Sequence, residues 1–212
     1  MSKFPQKLHR IGASILGLFI ISHLAVHLTA LAGAQTHDTA LSFVQLIYRN
    51  PLGETILVAF IGIQVWAGVK LLRLRGLALH RQGWAKVQVW SGLYLAFFLV
   101  IHSGAALYTH HIFGLETDFY WAAGSLHFDP IRYGFAIYYF LAVLAFFSHL
   151  GAAVYFGLPE KYTSTAKALP IAGGLIASLI ILVFSGAFFA IDIPAETSAY
   201  YEQNFDWIGI GK

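Results

Sequence analysis

An all-α membrane protein with five transmembrane helices is the fold that this sequence predicts, and three observations carry the prediction. Of its 212 residues, 58% are hydrophobic and only 11% charged, less than half the roughly 25% charge of an ordinary soluble domain. Five segments, about 11 to 33, 53 to 75, 88 to 109, 132 to 157 and 169 to 192, are apolar and meet the length of about 20 residues that a helix needs to cross a bilayer. Lys and Arg segregate to one side of those segments, as the positive-inside rule requires. Residues 1 to 212 are therefore read as a single transmembrane domain.

The first segment follows the basic stretch Met1 to Arg10 with no evident small-residue cleavage site, so it is expected to be a retained helix and not a signal peptide. A basic loop joins the second and third segments, and a short one joins the fourth and fifth. Counting by alternating loops puts Lys3, Lys7, Arg10, Lys70, Arg73, Arg75, Arg81, Lys86, Lys161 and Lys167 on one side, with Arg49, Arg132 and Lys212 on the other. The first side is then cytoplasmic, with the N-terminus there and the C-terminus outside. Of the acidic residues only Glu160 falls on the inner side. Trp84, Trp90, Tyr108, Trp121 and Tyr133 lie near segment ends and read as interfacial anchors. Stretches 34 to 52 and 110 to 131 are long enough for short surface helices or a cap over the outer face. Pro170 is expected at the N-terminus of the fifth helix, where it breaks nothing.

Composition also removes several chemistries. Without Cys there is no disulfide, thiolate-ligated cluster or c-type haem attachment. No Rossmann glycine fingerprint is present. The sidedness of the charges says more here than their sum of +3, and no nucleic-acid partner is expected.

Ten His is a high count. His9, His37, His80, His110, His111 and His127 fall in loops or at interfaces and read as solvated polar residues. His23 and His27 in the first span, His102 in the third and His149 in the fourth are different, because an ionisable group inside a bilayer is costly and marks a functional hypothesis. Two uses keep imidazoles there: ligation of haem iron, or hydrogen bonds along a proton or quinone pathway. At about 1.5 Å per residue, His23 lies roughly 18 Å and His102 roughly 21 Å from the inner ends of their spans. The two share a level slightly outside the midplane. His27 stacks one turn outward of His23, whereas His149, about 26 Å along its helix from the outer side, lies too far inward to join them. Gly12, Ala13 and Gly17 before His23, and Ser103, Gly104 and Ala105 after His102, offer a flat ring room or simply pack helices.

The strings around these histidines resemble the single-chain, five-helix cytochrome b anchor of succinate dehydrogenases and fumarate reductases. Lys7-Leu8-His9-Arg10-Ile11-Gly12 followed by Ile21-Ser22-His23-Leu24 looks like that family's first helix. Val87-Gln88 and Ser91-Gly92 leading to Val100-Ile101-His102 look like its third spanning helix, and Phe147-Ser148-His149 with Gly151 like its fourth. The resemblance implies an outer haem b held by His23 and His102. Diheme members carry an inner ligand on the second helix, where Ile63-Gln64-Val65-Trp66-Ala67-Gly68 puts Gln64. One haem b is therefore expected, with a second at His149 left open, His80 being a remote candidate partner. Glu54 matches approximately an acidic residue near the quinone site of menaquinone-linked relatives, and His27 falls near the same pocket. Glu54 is equally read as an interfacial carboxylate at a helix N-terminus.

What the resemblance implies in function is an electron-transfer subunit, not a complete enzyme, passing electrons between a cytoplasmic partner and quinone in a bacterial-type cytoplasmic membrane. Flavoprotein and iron-sulfur subunits on the inner face would carry any succinate or fumarate chemistry. The rivals are a stand-alone membrane cytochrome b with another redox partner, and a haemless anchor or assembly protein whose histidines only hydrogen-bond. A transporter is disfavoured by the absence of broken helices and inverted repeats.

Overall fold

The computed structural model describes residues 4–75 and 82–209. His80, Lys3, Arg81 and Lys212 lie outside them. Among the described residues all regular structure is helical, and five helices are long and apolar enough to cross a membrane. These are α1 (Phe4–Thr29), α3 (Pro51–Arg75), α4 (Gly83–Tyr108), α6 (Ile131–Gly157) and α7 (Thr163–Phe184). Three shorter helices follow the odd-numbered spans: α2 (Ala34–Tyr48), α5 (Phe119–Gly124) and α8 (Ala195–Phe205).

The spanning helices form a ring in chain order: α1 packs on α3, α3 on α4, α4 on α6, α6 on α7, and α7 returns to α1. Their outward faces stay apolar and exposed, as at Leu18, Phe97, Ile171 and Leu175, which is how a helix surface solvated by lipid differs from one solvated by water. The densest burial sits at one end. There Phe119, Ala123 and Leu126 pack against Ile180, Val183 and Phe184 of α7, and Trp121 packs with Tyr200 and Tyr201 of α8. Helices α2, α5 and α8 thus cap the end of the bundle opposite the start of α1. A chain reversal at Gly33, with φ of +106°, lets α2 fold back over α1. That conformation suits glycine.

The fifth span runs from Thr163 to Phe184, earlier at both ends than the stretch 169 to 192 that apolarity alone suggests. Its C-terminus is set by Gly186 at φ +80°, with Gly186 N–H donating to the Val183 carbonyl and Ala187 N–H to that of Leu182. This is a Schellman ending, in which the left-handed residue satisfies the last carbonyls. Pro170 lies inside the helix instead of at its start. Lacking an N–H, it leaves the Ala166 carbonyl unused by the helix. That oxygen rests against Gly151 of α6, where a Cβ would lie only 2.7 Å from it. Gly151 lets the backbones of α6 and α7 approach closely, as small residues do in membrane helix pairs.

Candidate functional site

Inside the ring, towards the capped end, lies an apolar cavity of about 210 Å³, far above the roughly 10–15 Å³ that one water needs. Its wall includes Phe19, Leu57, Ile61, Leu95, Phe98, Val143 and Phe146, and its polar lining includes His23, His27, His37, Arg49, Glu54, His102, Asp118 and Tyr139. All five spanning helices contribute to it.

His23 on α1 and His102 on α4 meet across this cavity with ring centroids 6.2 Å apart and planes at 60°. Phe19 stacks on the His23 ring one turn below it, and Phe98 stacks on His102 in the same i, i+4 relation. Each imidazole is thereby held against its own helix and directed inward. The level shared by the two residues, expected from helical rise, becomes direct proximity.

From His23 a chain of hydrogen bonds leads towards the capped end. His23 Nε2 lies 3.1 Å from His27 Nε2, His27 Nδ1 lies 3.2 Å from His37 Nε2, and His37 Nδ1 lies 2.9 Å from Asp38 Oδ1. Asp38 Oδ1 also accepts from the Phe119 N–H at the start of α5, at 2.9 Å. The direction of the chain follows from its end, since an ionised carboxylate only accepts. His37 then donates from Nδ1, His27 donates from Nδ1 to His37 Nε2, and His23 donates from Nε2 to His27. His37, expected to be solvated, is 1% exposed, because α2 folds back and inserts it beside Phe119 and Phe184. The Asp38 side chain is 35% exposed and connects the chain to the surface.

At the cavity rim Glu54, 17% exposed, pairs with His111 at 2.6 Å. Arg49 donates to Thr117 Oγ1 at 2.6 Å through Nη2. Asp118 caps α5 by accepting from the Trp121 N–H at 2.9 Å, and burial pushes its carboxyl above the ordinary value.

His149 is elsewhere. It lies on α6 with His9 of α1, ring centroids 6.3 Å apart at 81°, at the end of the bundle away from α2, α5 and α8. Its Nδ1 is 3.1 Å from the Gln88 carbonyl and 3.2 Å from Ser91 Oγ. Gln64 touches this second group, with Nε2 3.5 Å from His9 Nε2. His9, expected to be a solvated residue before the first span, is a helical residue turned towards another helix. The sequence signal available for it was its spacing of 14 residues from His23, a whole number of helical turns to within about 40°.

The capped-end residues can be tested against a haem. A b-type haem asks the protein for two imidazoles that meet its iron from different helices, and His23 and His102, with ring centroids 6.2 Å apart, are a pair that could do so. Around them, His23 Nδ1, Arg49 Nε and Trp121 Nε1 are buried without a hydrogen-bond partner, and such atoms in a native interior call for a polar ligand edge or water. Ser103 and Ala106 of α4 keep the wall beside His102 small. Ligation through His23 Nε2 would replace its bond to His27, so the two rings must separate. The residues fit a b-type haem with that one rearrangement. Among the described residues no group of three or more His, Asp or Glu side chains is placed to hold a bare metal ion, whereas haem iron asks the protein for two axial ligands.

Comparison with models of protein families, with curated proteins and with solved structures gives no match for this chain.

Proposed function

We propose that this chain is a haem b-binding membrane subunit that passes electrons between a cytoplasmic partner and quinone, and that His23 and His102 would hold the haem. The observation that carries the reading is the separation of those imidazoles, 6.2 Å across an apolar cavity. In this reading the N-terminus is cytoplasmic, the capped end faces outward, and the membrane is of the bacterial cytoplasmic type. The basic loops of the inner side would dock flavoprotein and iron-sulfur subunits.

A haem bound there supplies one-electron redox chemistry buried in low dielectric. Everything else falls to the chain's own residues. Phe19 and Phe98 orient the ligand rings, and the apolar wall excludes water. Arg49, with its partnerless Nε, is placed to meet a propionate.

Quinone would enter at the rim near Glu54 and His27. Quinol oxidation releases two protons with its two electrons, and the imidazole chain offers them an exit. A proton taken up at His27 Nε2 releases the Nδ1 proton to His37 Nε2, and His37 releases its own Nδ1 proton to Asp38. The reverse sequence serves quinone reduction.

The His23–His27 bond of 3.1 Å favours a second reading, a haemless anchor whose imidazoles only link to one another. A reduced-minus-oxidised spectrum of protein produced with ample haem separates the two. A b-type Soret and α-band that disappear in His102→Ala support the cytochrome. No haem in the wild type leaves the haemless anchor.

A further inference from the structure

We propose that the seam between the first turns of α3 and the strap of residues 109–118 is a lateral gate. Through it a lipid-soluble ligand with a polar head enters the cavity from the leaflet on the capped side. This deepens the reading of the cavity as a site for a membrane-dissolved molecule and rests on that reading for its cargo, but not on the haem. Three features of the seam lead to it.

The first is how thin the wall is. Glu54, Leu57 and Val58 line the cavity from α3, and Ser103, Ala106 and Leu107 line it from α4. On the wheel of α3, Val58 falls between the inward row of Glu54, Leu57 and Ile61 and the exposed row of Thr55, Ala59 and Gly62. It lines the cavity and is 43% exposed. A single side chain thus stands between the cavity and the lipid there.

The second is how the strap is held. Its apolar residues pack away from α3: Leu115 and Phe113 join the cluster of Trp121, Tyr200 and Tyr201. Among the described residues neither apolar cluster of the capped end takes in any of residues 41–58. The ties across the seam are polar, Glu54 Oε1 to His111 Nε2 at 2.6 Å and Arg49 Nη2 to Thr117 Oγ1 at 2.6 Å. The His111 side chain is 53% exposed, so water can take over its tie, and exposed pairs contribute little to stability. Parting the seam therefore leaves the apolar packing of the strap on α8 in place.

The third is the build of the two edges. On one side Asn50 Nδ2 donates to the Leu46 and Ile47 carbonyls at 3.2 and 3.1 Å, and Asn50 Oδ1 accepts from the Gly53 N–H at 2.9 Å. A Cβ on Gly53 would run into the Ile47 carbonyl. The end of α2 and the start of α3 are therefore one stiff corner, joined to α1 through Gly33 at φ +106°. On the other side the strap opens with a π-helical turn, Thr109–Phe113, and turns at Gly114 with φ +76°. Isolated π turns are less stable than α-helix and recur at functional sites. Arg49 and Glu54 put charge at the gate, while the wall beyond it is apolar, an order that suits an amphiphile entering tail inward.

The chain has no Cys, so Leu52→Cys with Ile112→Cys carries two spin labels and no others. Both sites are exposed, 71% and 73%. Double electron–electron resonance is read on the full chain in phosphatidylcholine nanodiscs, with and without haem. The gate predicts a short and a longer distance. His111→Ala with Thr117→Val should raise the longer population about 10-fold, as the loss of two modest hydrogen bonds does. His111→Ala alone should raise it about 3-fold, so the test survives a double variant that does not fold. Thr117→Ser keeps an acceptor for Arg49 and should match the wild type. Entry is followed with 9,10-dibromostearate, through quenching of the fluorescence that Trp121→Phe removes, and is expected to quicken by the same factors. One distance in every background, or quenching no faster without the ties, overturns the gate and leaves the His23–His102 reading standing. Both distances in a protein that binds no haem keep the gate and overturn the haem.

Discussion

The two halves of the bundle hold histidine pairs of nearly equal separation, 6.2 Å and 6.3 Å, on different supports. At the capped end His23 is bonded to another imidazole, and the chain continues through His27 and His37 to an Asp that reaches the surface. In the other half His149 is bonded to the Gln88 carbonyl and touches Ser91. A carbonyl locks one tautomer, while a row of imidazoles ending on a carboxylate lets protons shift along it. The first half offers a row of groups along which a proton can shift, and the second holds one imidazole in a single tautomer.

The sharpest way to break the comparison is to remove a ligand. His102→Ala is expected to abolish the haem proposed for the capped end, as measured by the haemochrome content of protein produced with ample haem. Haem content equal to that of the wild type would mean that His102 does not hold it.

A smaller effect comes from crowding one support. Gly92→Ala puts a methyl 3.0 Å from His149 Cε1, and the displaced ring loses its alignment with Gln88. The crowding and the lost hydrogen bond together are expected to cost about 2–4 kcal/mol of stability. Gly104→Ala on the same helix is the control, since a Cβ there meets nothing within 4 Å. Thermal unfolding in detergent measures both, and equal stability would contradict the role given to Gly92.

Next in size is the carboxylate that ends the imidazole chain. Asp38→Asn replaces an acceptor bonded to both His37 and the Phe119 N–H, and hydrogen bonds to charged groups contribute about 1.5–3 kcal/mol. Thermal unfolding in detergent should show a loss of that order. A stable Asp38→Asn protein with unaltered quinol oxidation would remove Asp38 from the proton exit.

The same contrast explains what sequence reasoning reached. The five spans were legible because length and apolarity are local properties, and the shared level of His23 and His102 follows from helical rise within two spans of known direction. The fifth span was misplaced in its ends because the apolar stretch runs past Gly186, whose left-handed turn closes the helix, and because Pro170 is tolerated inside the helix where the Ala166 oxygen rests on Gly151. His37 and His9 were read as solvated for a different reason. Each lies at the margin of an apolar segment, where polar side chains are ordinarily solvated, and its partner comes from packing: α2 folding back over α1, and α1 meeting α6 near its own first turns. Gln64 illustrates the converse, since a residue that cannot serve as a good iron ligand marks the position beside which His9 stands.

The smallest expected effect concerns pH and the capped half alone. Burial pushes the Asp118 carboxyl upward; the Trp121 N–H that it accepts opposes this, and the nearby Asp38 charge adds to it. Because the folded chain binds this proton more readily than the unfolded chain, the contribution to stability is present at acid pH and is lost as pH rises through the raised value. Asn at the same N-cap still accepts from the backbone and does not titrate. Asp118→Asn should therefore flatten the fall in melting temperature on the alkaline side of the ordinary carboxylate range, whereas Asp118→Ala loses the cap and costs about 1 kcal/mol at every pH. Melting curves of the three proteins from mildly acid to neutral pH decide the matter: parallel curves for wild type and Asp118→Asn would mean that the cap, and not the charge, is what α5 takes from Asp118.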